Sequence, residues 1–232
     1  MSNYTVFYSD WNSVNIQNNS LVRESDLFKK SFVEPSFKKC PVWNHRNNRT
    51  FLVTSPVDVE FSIKENYLIL KIDGKIIENA WDYGDIIPED MSLKNPVVQL
   101  KFPNYFFWTE EKNIWFEYID HPMTSLRNNC IAIGGWFNIS NYSRGTSFAF
   151  EMVDRDVPVI IKKNDPIARI RFYSSDMNNG IKLKQVERNS IDFKKEEKKF
   201  YQNQSKVRGS NIIRKVLFGK FSECPFKFIH KK

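Results

Sequence analysis

The chain has 232 residues, a formal net charge of +8 and an aromatic content of 15%. With 20 Phe and only 8 Gly, large rings must supply most of the core volume, and this composition excludes a disordered chain. No stretch approaches the ~18 consecutive apolar residues of a membrane-spanning helix. The N-terminus has neither a basic start nor an apolar run, so we predict one folded domain without a secretion signal or a membrane anchor.

The first 40 residues contain Asn and Ser clusters and little regular pattern. We expect them to form an N-terminal arm with a short helix at 24–30.

Residues 41–176 are predicted to form a mainly β domain, a barrel or sandwich. Short apolar runs bounded by turn residues dominate this part, and they are rich in β-branched and aromatic residues. The turn Asp73-Gly74 predicts a tight hairpin, because Asp-Gly readily adopts positive φ angles. The predicted strands are 50–54, 57–63, 67–72, 97–102, 114–119, 131–137, 146–153, 157–161 and 167–173.

Residues 177–232 are expected to form a basic, partly helical extension, with helices at 191–205 and 210–221. Residues 182–232 contain 15 Lys or Arg and 5 Asp or Glu, a net charge of +10, so the first 181 residues carry −2. Attraction to nucleic acid or to an acidic protein would therefore come from this end, and we expect no membrane partner. The candidate polyanion contacts are Arg208, Arg214, Lys215 and Lys220.

Three cysteines are an odd number for a disulfide framework, so a reducing compartment, the cytoplasm, is favoured. Cys40 and His45 form one spacing that zinc could use, and Cys224 and His230 form another. The two pairs are 184 residues apart, unlike the tandem pairs of zinc sites, so we predict no metal and no cofactor. The acidic residues Asp82, Asp85, Glu89 and Asp90 are interpreted as a solvated loop, and His121 as structural.

Adjacent predicted strands carry many rings, which a surface that stacks nucleic-acid bases would need. These rings are Phe106, Phe107, Trp108, Trp115, Phe116 and Tyr118. Alternate residues of a strand face opposite sides, and the flanking residues are acidic, so we favour a role in the core or a subunit interface.

Two segments carry a family resemblance. Residues 134–145 read GGWFNISNYSRG, and residues 157–172 read VPVIIKKNDPIARIRF. They resemble the dUTPase and dCTP deaminase superfamily, the β-clip fold, in which G-x-I-D-x-x-Y-x-G precedes V-x-I-x-x-G-D-x-I-A-Q-L-x-F. The similarity extends over residues 122–172 and implies a β-clip fold and a homotrimer. The composition, low in Ala and Gly and rich in Asn, Lys, Ile and Phe, also suits many bacteriophages.

The departures from the family pattern concern its active site. The resemblance implies a catalytic Asp where this chain has Asn138, and an amide does not accept the proton. Met123-Thr124-Ser125 stands for the phosphate-binding Arg-Ser-Ser turn, which leaves Ser125 but removes the Arg, and the glycine-rich arm is absent. Tyr142 remains at the place of the ring that carries base or sugar. Glu117 and Glu151 are the nearest candidates for the deaminase base, and neither stands in a matching motif.

We therefore predict a non-catalytic dUTPase-like protein that acts by assembly or partner binding, in the host cytoplasm or in a virion. Any ligand would contact Ser125, Asn138 and Tyr142. One alternative is a nucleotide-binding or nucleotide-hydrolysing enzyme with a rearranged site, which would use magnesium. Another is a virion or host-takeover component that contacts nucleic acid through its basic tail.

Overall fold

A computed structural model describes residues 3–28, 48–65, 67–87, 95–141, 143–176 and 179–208. The chain divides into two compact units, residues 1–188 and 189–232. The first unit is mainly β, and the second contains a helix, which confirms the predicted fold class of a β domain followed by a small helical part. Within the described ranges, no helix is long and apolar enough to cross a membrane.

The described strands of the first unit form three sheets. The six-stranded sheet has the order β10-β12-β8-β1-β15, with β7 also paired to β8. Its strands are β1 (Asn3–Asp10), β7 (Gly84–Ile87), β8 (Val97–Trp108), β10 (Cys130–Ala132), β12 (Arg144–Met152) and β15 (Gly180–Gln185).

The five-stranded sheet has the order β11-β9-β14-β3-β2. Its strands are β2 (Val22–Arg23), β3 (Thr50–Thr54), β9 (Trp115–Asp120), β11 (Gly135–Asn138) and β14 (Pro166–Tyr173). The four-stranded sheet has the order β13-β4-β5-β6, formed by β4 (Val59–Lys64), β5 (Tyr67–Ile72), β6 (Lys75–Ile76) and β13 (Val159–Ile161). Among the described residues the helices are α1 (Glu24–Phe28), α2 (Pro122–Arg127) and α3 (Ile191–Arg208), with a 3-10 turn at Ala80–Asp82.

Aromatic rings fill the core between the sheets. The ring centroid of Phe107 lies 5.1 Å from that of Phe116 and 6.0 Å from that of Phe172. Phe106, Phe107 and Phe116 are fully buried and Trp108 nearly so, which confirms the core assignment for these rings. Rings this deep in the protein cannot stack on the bases of a nucleic acid.

Two strands were predicted with correct limits. Strands β3 and β5 cover the predicted residues 50–54 and 67–72. Asp73 has φ of 49° and Gly74 of 77°, so the β5–β6 hairpin has the predicted tight turn. The short helix predicted at 24–30 is present as α1.

Two predictions about strands were wrong, one for a hairpin and one for a single strand. Residues 157–172 do not form a hairpin, because β13 pairs with β4 while β14 pairs with β3 and β9. The predicted inward position of Ile167 and Ile170 is nevertheless correct, since both are buried. Residues 131–137 are not one strand: the chain leaves the six-stranded sheet after Ala132 and enters the five-stranded sheet at Gly135.

The two ends of the predicted β domain also differ from expectation. Residues 3–10 are not part of an arm, because β1 pairs with β8 on one side and β15 on the other. Ile181 of β15 is fully buried, so the sheet extends past residue 176 into the predicted extension. Sequence analysis did not predict this pairing because the two strands are far apart in the chain, with Asn3 opposite Gly180.

We predict that truncation after Arg188 and truncation after Ile181 have different effects. The shorter deletion keeps β15 and should leave cooperative thermal unfolding of the β domain intact. The longer deletion removes residues 182–185 of β15 and leaves one edge of β1 without its partner. Circular dichroism melting of both proteins measures the difference, and equal melting curves would contradict it.

Candidate functional site

Asn138, which stands where the sequence resemblance implies a catalytic Asp, ends strand β11. Its side chain is buried, and its Oδ1 accepts a hydrogen bond from the Ser140 backbone N–H at 2.9 Å. The Ser140 hydroxyl in turn accepts a bond from the Ile114 N–H at 2.8 Å. The amide of Asn138 therefore stabilises the turn after β11, as Asn side chains do in Asx turns.

Ser125 lies at the other end of the five-stranded sheet. It belongs to α2, which follows the Asp120 end of β9, and its hydroxyl donates to the Pro122 carbonyl at 3.2 Å. The neighbouring Thr124 hydroxyl donates to the Pro166 carbonyl at the start of β14.

The register of β9 and β14 separates these two residues. Asn138 pairs with Trp115, and Trp115 pairs with Tyr173 at the far end of β14. The strand from Pro166 to Tyr173 spans about 23 Å at ~3.3 Å per residue. Ser125 and Asn138 thus do not meet within one chain, and Tyr142 lies outside the described residues.

Gly145, the last glycine of the family-like turn, has a packing role. A Cβ atom at this position would lie 1.8 Å from two ring carbons of Trp11. The ring of Trp11 also packs edge-on against Phe106, with centroids 5.3 Å apart. Close approach of an indole ring therefore requires glycine here, independently of any ligand.

A polar cluster that sequence reasoning missed lies on the outer face of the five-stranded sheet. The Tyr173 hydroxyl donates to Glu117 Oε2 at 2.5 Å, and Arg171 Nη1 donates to the Tyr173 hydroxyl at 3.2 Å. Burial, and then the bond to Glu117, raise the pKa of Tyr173. Because alternate residues of a strand face the same side, the sequence alone could have predicted that Arg171 and Tyr173 share one face of β14. That Glu117 lies beside them follows only from the pairing register of β14 with β9.

Glu117 and Glu151, the candidates for a deaminase base, lie in different sheets. Glu117 on β9 is held by Tyr173 and lies 3.7 Å from Arg171, whereas Glu151 is opposite Ile131 in the β10–β12 pair. The two carboxylates are therefore parts of separate surroundings.

The other candidate residues form no site where the structure describes them. Cys40, His45, Cys224, His230, Glu89, Asp90, Arg214, Lys215 and Lys220 lie outside the described residues, and nothing is described of the Arg208 side chain. Asp85 pairs with Lys101 at 3.2 Å. The described residues contain no group of three His, Cys, Asp or Glu side chains that could hold a metal ion.

An open depression of about 540 Å³ lies elsewhere on the first unit. It is lined by Ser13, Val14, Asp82, Tyr83 and Lys101. None of the predicted ligand-binding residues lines it.

A largely buried ion pair connects α1 to β14. Glu24 Oε1 lies 2.8 Å from Arg169 Nε, with side chains exposed by only 1% and 17%. Nearby, burial and then the charge of Arg169 lower the pKa of His121, so this imidazole is neutral at pH 7.

Comparison with known proteins gives only distant similarity. No family model matches this chain, and no curated protein does. Among solved structures, native EIAV dUTPase is similar with a TM-score of 0.36 and 8% identity, over 80% of this chain and 99% of that one. A mutant of the dUTPase of phage 80alpha has a TM-score of 0.33 and 9% identity, over 60% of this chain and 82% of that one.

A second mutant of this enzyme, from Staphylococcus bacteriophage 80alpha and solved with dUpNHpp, has the same TM-score of 0.33 and 9% identity. The similarity covers 60% of this chain and 75% of the mutant enzyme's chain. Similarity at this level carries no functional argument, so the function must be argued from the residues of this chain.

We predict that Glu24→Gln destabilises the protein strongly. Removing the carboxylate leaves the Arg169 guanidinium largely buried without its partner, which typically costs about 3–5 kcal/mol. The matched control is Glu60→Gln, because Glu60 and Lys71 form an even shorter pair, at 2.6 Å, but with both side chains 36% exposed. That change should cost less than about 1 kcal/mol.

Urea denaturation gives the free energy of unfolding of both variants. Equal losses of stability in Glu24→Gln and Glu60→Gln would contradict the role assigned to the buried pair.

Proposed function

We propose that this protein is a non-catalytic, dUTPase-like protein of bacteriophage type that acts by assembly or by binding a partner. The observation that carries the proposal is Asn138, which stands where the resemblance implies a catalytic carboxylate.

Two properties of Asn138 argue against catalysis. A carboxamide has no basic oxygen that could take a proton from an attacking water at neutral pH. In addition, its Oδ1 is occupied by the Ser140 N–H at 2.9 Å and the residue is buried, so the side chain serves the turn.

Cys130 does not replace the missing group as a nucleophile. Burial raises the pKa of the Cys130 thiol to about 12, and the thiol rather than the thiolate is therefore present at neutral pH. A thiol is a weak nucleophile, so covalent chemistry at this residue is disfavoured.

Self-assembly is supported by the separation of the candidate ligand residues. Ser125 and Asn138 lie at opposite ends of the five-stranded sheet, at the Pro166 and Tyr173 ends of β14. A pocket that contains both would have to combine residues from two copies, in line with the homotrimer that the family resemblance implies. We propose that the protein assembles, or binds its partner, in the cytoplasm of the host.

The proposal predicts no turnover of dUTP or dCTP above background by the purified protein with magnesium. Release of pyrophosphate and conversion of the base are measured separately. Asn138→Asp should stay inactive as well, because the Arg of the phosphate-binding turn and the glycine-rich arm are also missing. Magnesium-dependent turnover that disappears in Asn138→Ala would show that the protein is an enzyme after all.

The charge distribution favours a second role, binding of a polyanion by the C-terminal unit. Residues 189–232 carry 12 Lys or Arg and 4 Asp or Glu, whereas residues 1–188 are balanced at 23 and 23. The whole net charge of +8 therefore belongs to the smaller unit. Nucleic acid or an acidic protein surface would be attracted there in a salt-dependent manner.

We predict that truncation after Arg188 abolishes binding to a fluorescein-labelled single-stranded DNA, measured by anisotropy. Binding of the full chain should weaken as salt rises, because each neutralised phosphate releases a counterion. Full-length protein in which Arg214, Lys215 and Lys220 are changed to Gln tests the named contacts without shortening the chain. Unchanged affinity in the truncated protein would assign the binding to the β domain.

A further inference from the structure

Helix α3 has one side that is buried by aromatic rings. Phe193 is fully buried and Phe200 is 5% exposed. Because these two residues are seven positions apart, they lie on the same side of the helix. The rings therefore anchor α3 along one side, and a partner can reach it only from the opposite side.

The start of α3 is fixed by a helix cap. The Phe193 N–H donates to the Ser190 hydroxyl at 3.2 Å, and the Lys194 N–H donates to the Ser190 carbonyl at 3.1 Å. Asp192 lies in the first turn, where a negative charge interacts favourably with the helix dipole. The first turns of α3 are thus ordered before any ligand binds, which lowers the entropy lost on binding.

The side of α3 opposite the two rings carries lysines. Four of them are exposed within six consecutive residues: Lys194, Lys195, Lys198 and Lys199. At 3.6 residues per turn they spread over about 140° of the helix circumference, and neighbours one turn apart are separated by about 6 Å along the axis. We call these four residues the lysine face.

The glutamates of α3 lie beside the buried rings and not on the lysine face. Glu196 and Glu197 are both partly buried, at positions that flank the rings. Glu196 accepts a bond from the Lys199 ammonium group, and its side chain is only 15% exposed. The charges that dominate the exposed side are therefore those of Lys194, Lys195 and Lys198.

The spacing of the lysines favours an anionic partner. Lys194 and Lys198 are four residues apart, as are Lys195 and Lys199. Like charges at this spacing repel each other and destabilise the free helix, so helix stability does not explain them. Phosphate groups would relieve the repulsion, since an ammonium group binds phosphate as a point charge.

Double-stranded DNA is the polyanion whose shape fits this helix best. Its major groove is about 12 Å wide and admits an α-helix, whose diameter with side chains is about 10–12 Å. A helix in this groove has phosphates on both flanks, and an arc of about 140° directs lysines towards both. The major groove of double-stranded RNA is too deep and narrow for such an arrangement.

Single-stranded nucleic acid fits the lysine face less well. Proteins that bind single strands combine basic residues with several rings on which the bases stack. Among the described side chains of α3, Tyr201 is the one exposed ring, at 53%. A duplex also carries about twice the charge per unit length of one strand, which strengthens a contact made by lysines alone.

We infer that the lysine face of α3 binds the phosphates of double-stranded DNA, with the helix in the major groove. The inference rests on the second role proposed above, polyanion binding by the C-terminal unit, and it names the ligand and the contact surface. Because phosphate contacts carry no base information, binding is independent of the DNA sequence.

Fluorescence anisotropy of the full-length protein with a fluorescein-labelled DNA duplex tests the inference. Changing Lys194, Lys195 and Lys198 together to Gln should raise the dissociation constant at least about tenfold at low salt. The slope of log K against log salt should also become shallower by about 2.7, since each neutralised phosphate contributes about 0.9. Gln has nearly the helix propensity of Lys, so circular dichroism should show an unchanged helix content.

Two further variants separate the lysine face from general charge effects. Arg at the same three positions keeps the charge and should keep the affinity for the duplex. The matched control changes Lys64, Lys75 and Lys112 to Gln, because these lysines are exposed on the first unit and the net charge falls by the same amount. An equal loss of affinity in this control would attribute binding to net charge and contradict the inference.

The remaining outcomes distinguish the inference from the role on which it rests. If truncation after Arg188 abolishes duplex binding but the Gln variant of α3 binds normally, the lysine face is wrongly assigned and the role of the C-terminal unit stands. If the full chain binds neither a duplex nor a single strand, that role fails together with the inference. Tighter binding to a single strand or to an RNA duplex than to the DNA duplex would overturn the choice of ligand.

Discussion

The antiparallel register between β9 and β14 determines where the candidate functional residues lie. It brings Phe116 and Phe172 together in the core, with ring centroids 5.7 Å apart, and Glu117 and Arg171 together on the outer face. The same register places α2 at one end of the sheet and the Asn138 turn at the other. A shift by one residue would exchange the two faces, so core packing and site geometry are specified together.

The buried rings stabilise this register, because a shift would remove them from the core. Phe107, Phe116 and Phe172 contact one another from three strands in two sheets. A large ring that leaves such a core exposes apolar area and leaves a cavity, which typically costs about 3–5 kcal/mol. Aromatic packing thus maintains the positions of residues that have no direct part in the core.

The pattern of apolar and turn residues predicted correctly those strands that are bounded by polar or turn residues next to them in the chain. β3 and β5 end at polar or turn residues, and the Asp73-Gly74 turn determines how β5 continues into β6. Partner choice was beyond the sequence, because β13 and β14 follow one another along the chain but belong to different sheets. An apolar run predicts that a strand forms, but it does not predict the partner strand.

In the candidate site, too, local features could be predicted from the sequence and features that depend on strand pairing could not. That Asn138 stands where the resemblance implies a carboxylate can be read from the sequence, since this comparison needs only a position within a motif. The cluster of Glu117, Arg171 and Tyr173 requires the alignment of two strands that are about fifty residues apart in the chain.

The position of β1 has a consequence for folding kinetics. Its neighbours in the sheet are β8 and β15, and Asn3 of β1 pairs with Gly180 of β15, 177 residues further along the chain. Until both neighbours are in place, the edges of β1 carry unpaired backbone groups, a state in which chains are prone to aggregate. Pairings between residues so far apart in the chain form slowly, so we expect β1 to join the sheet late in folding.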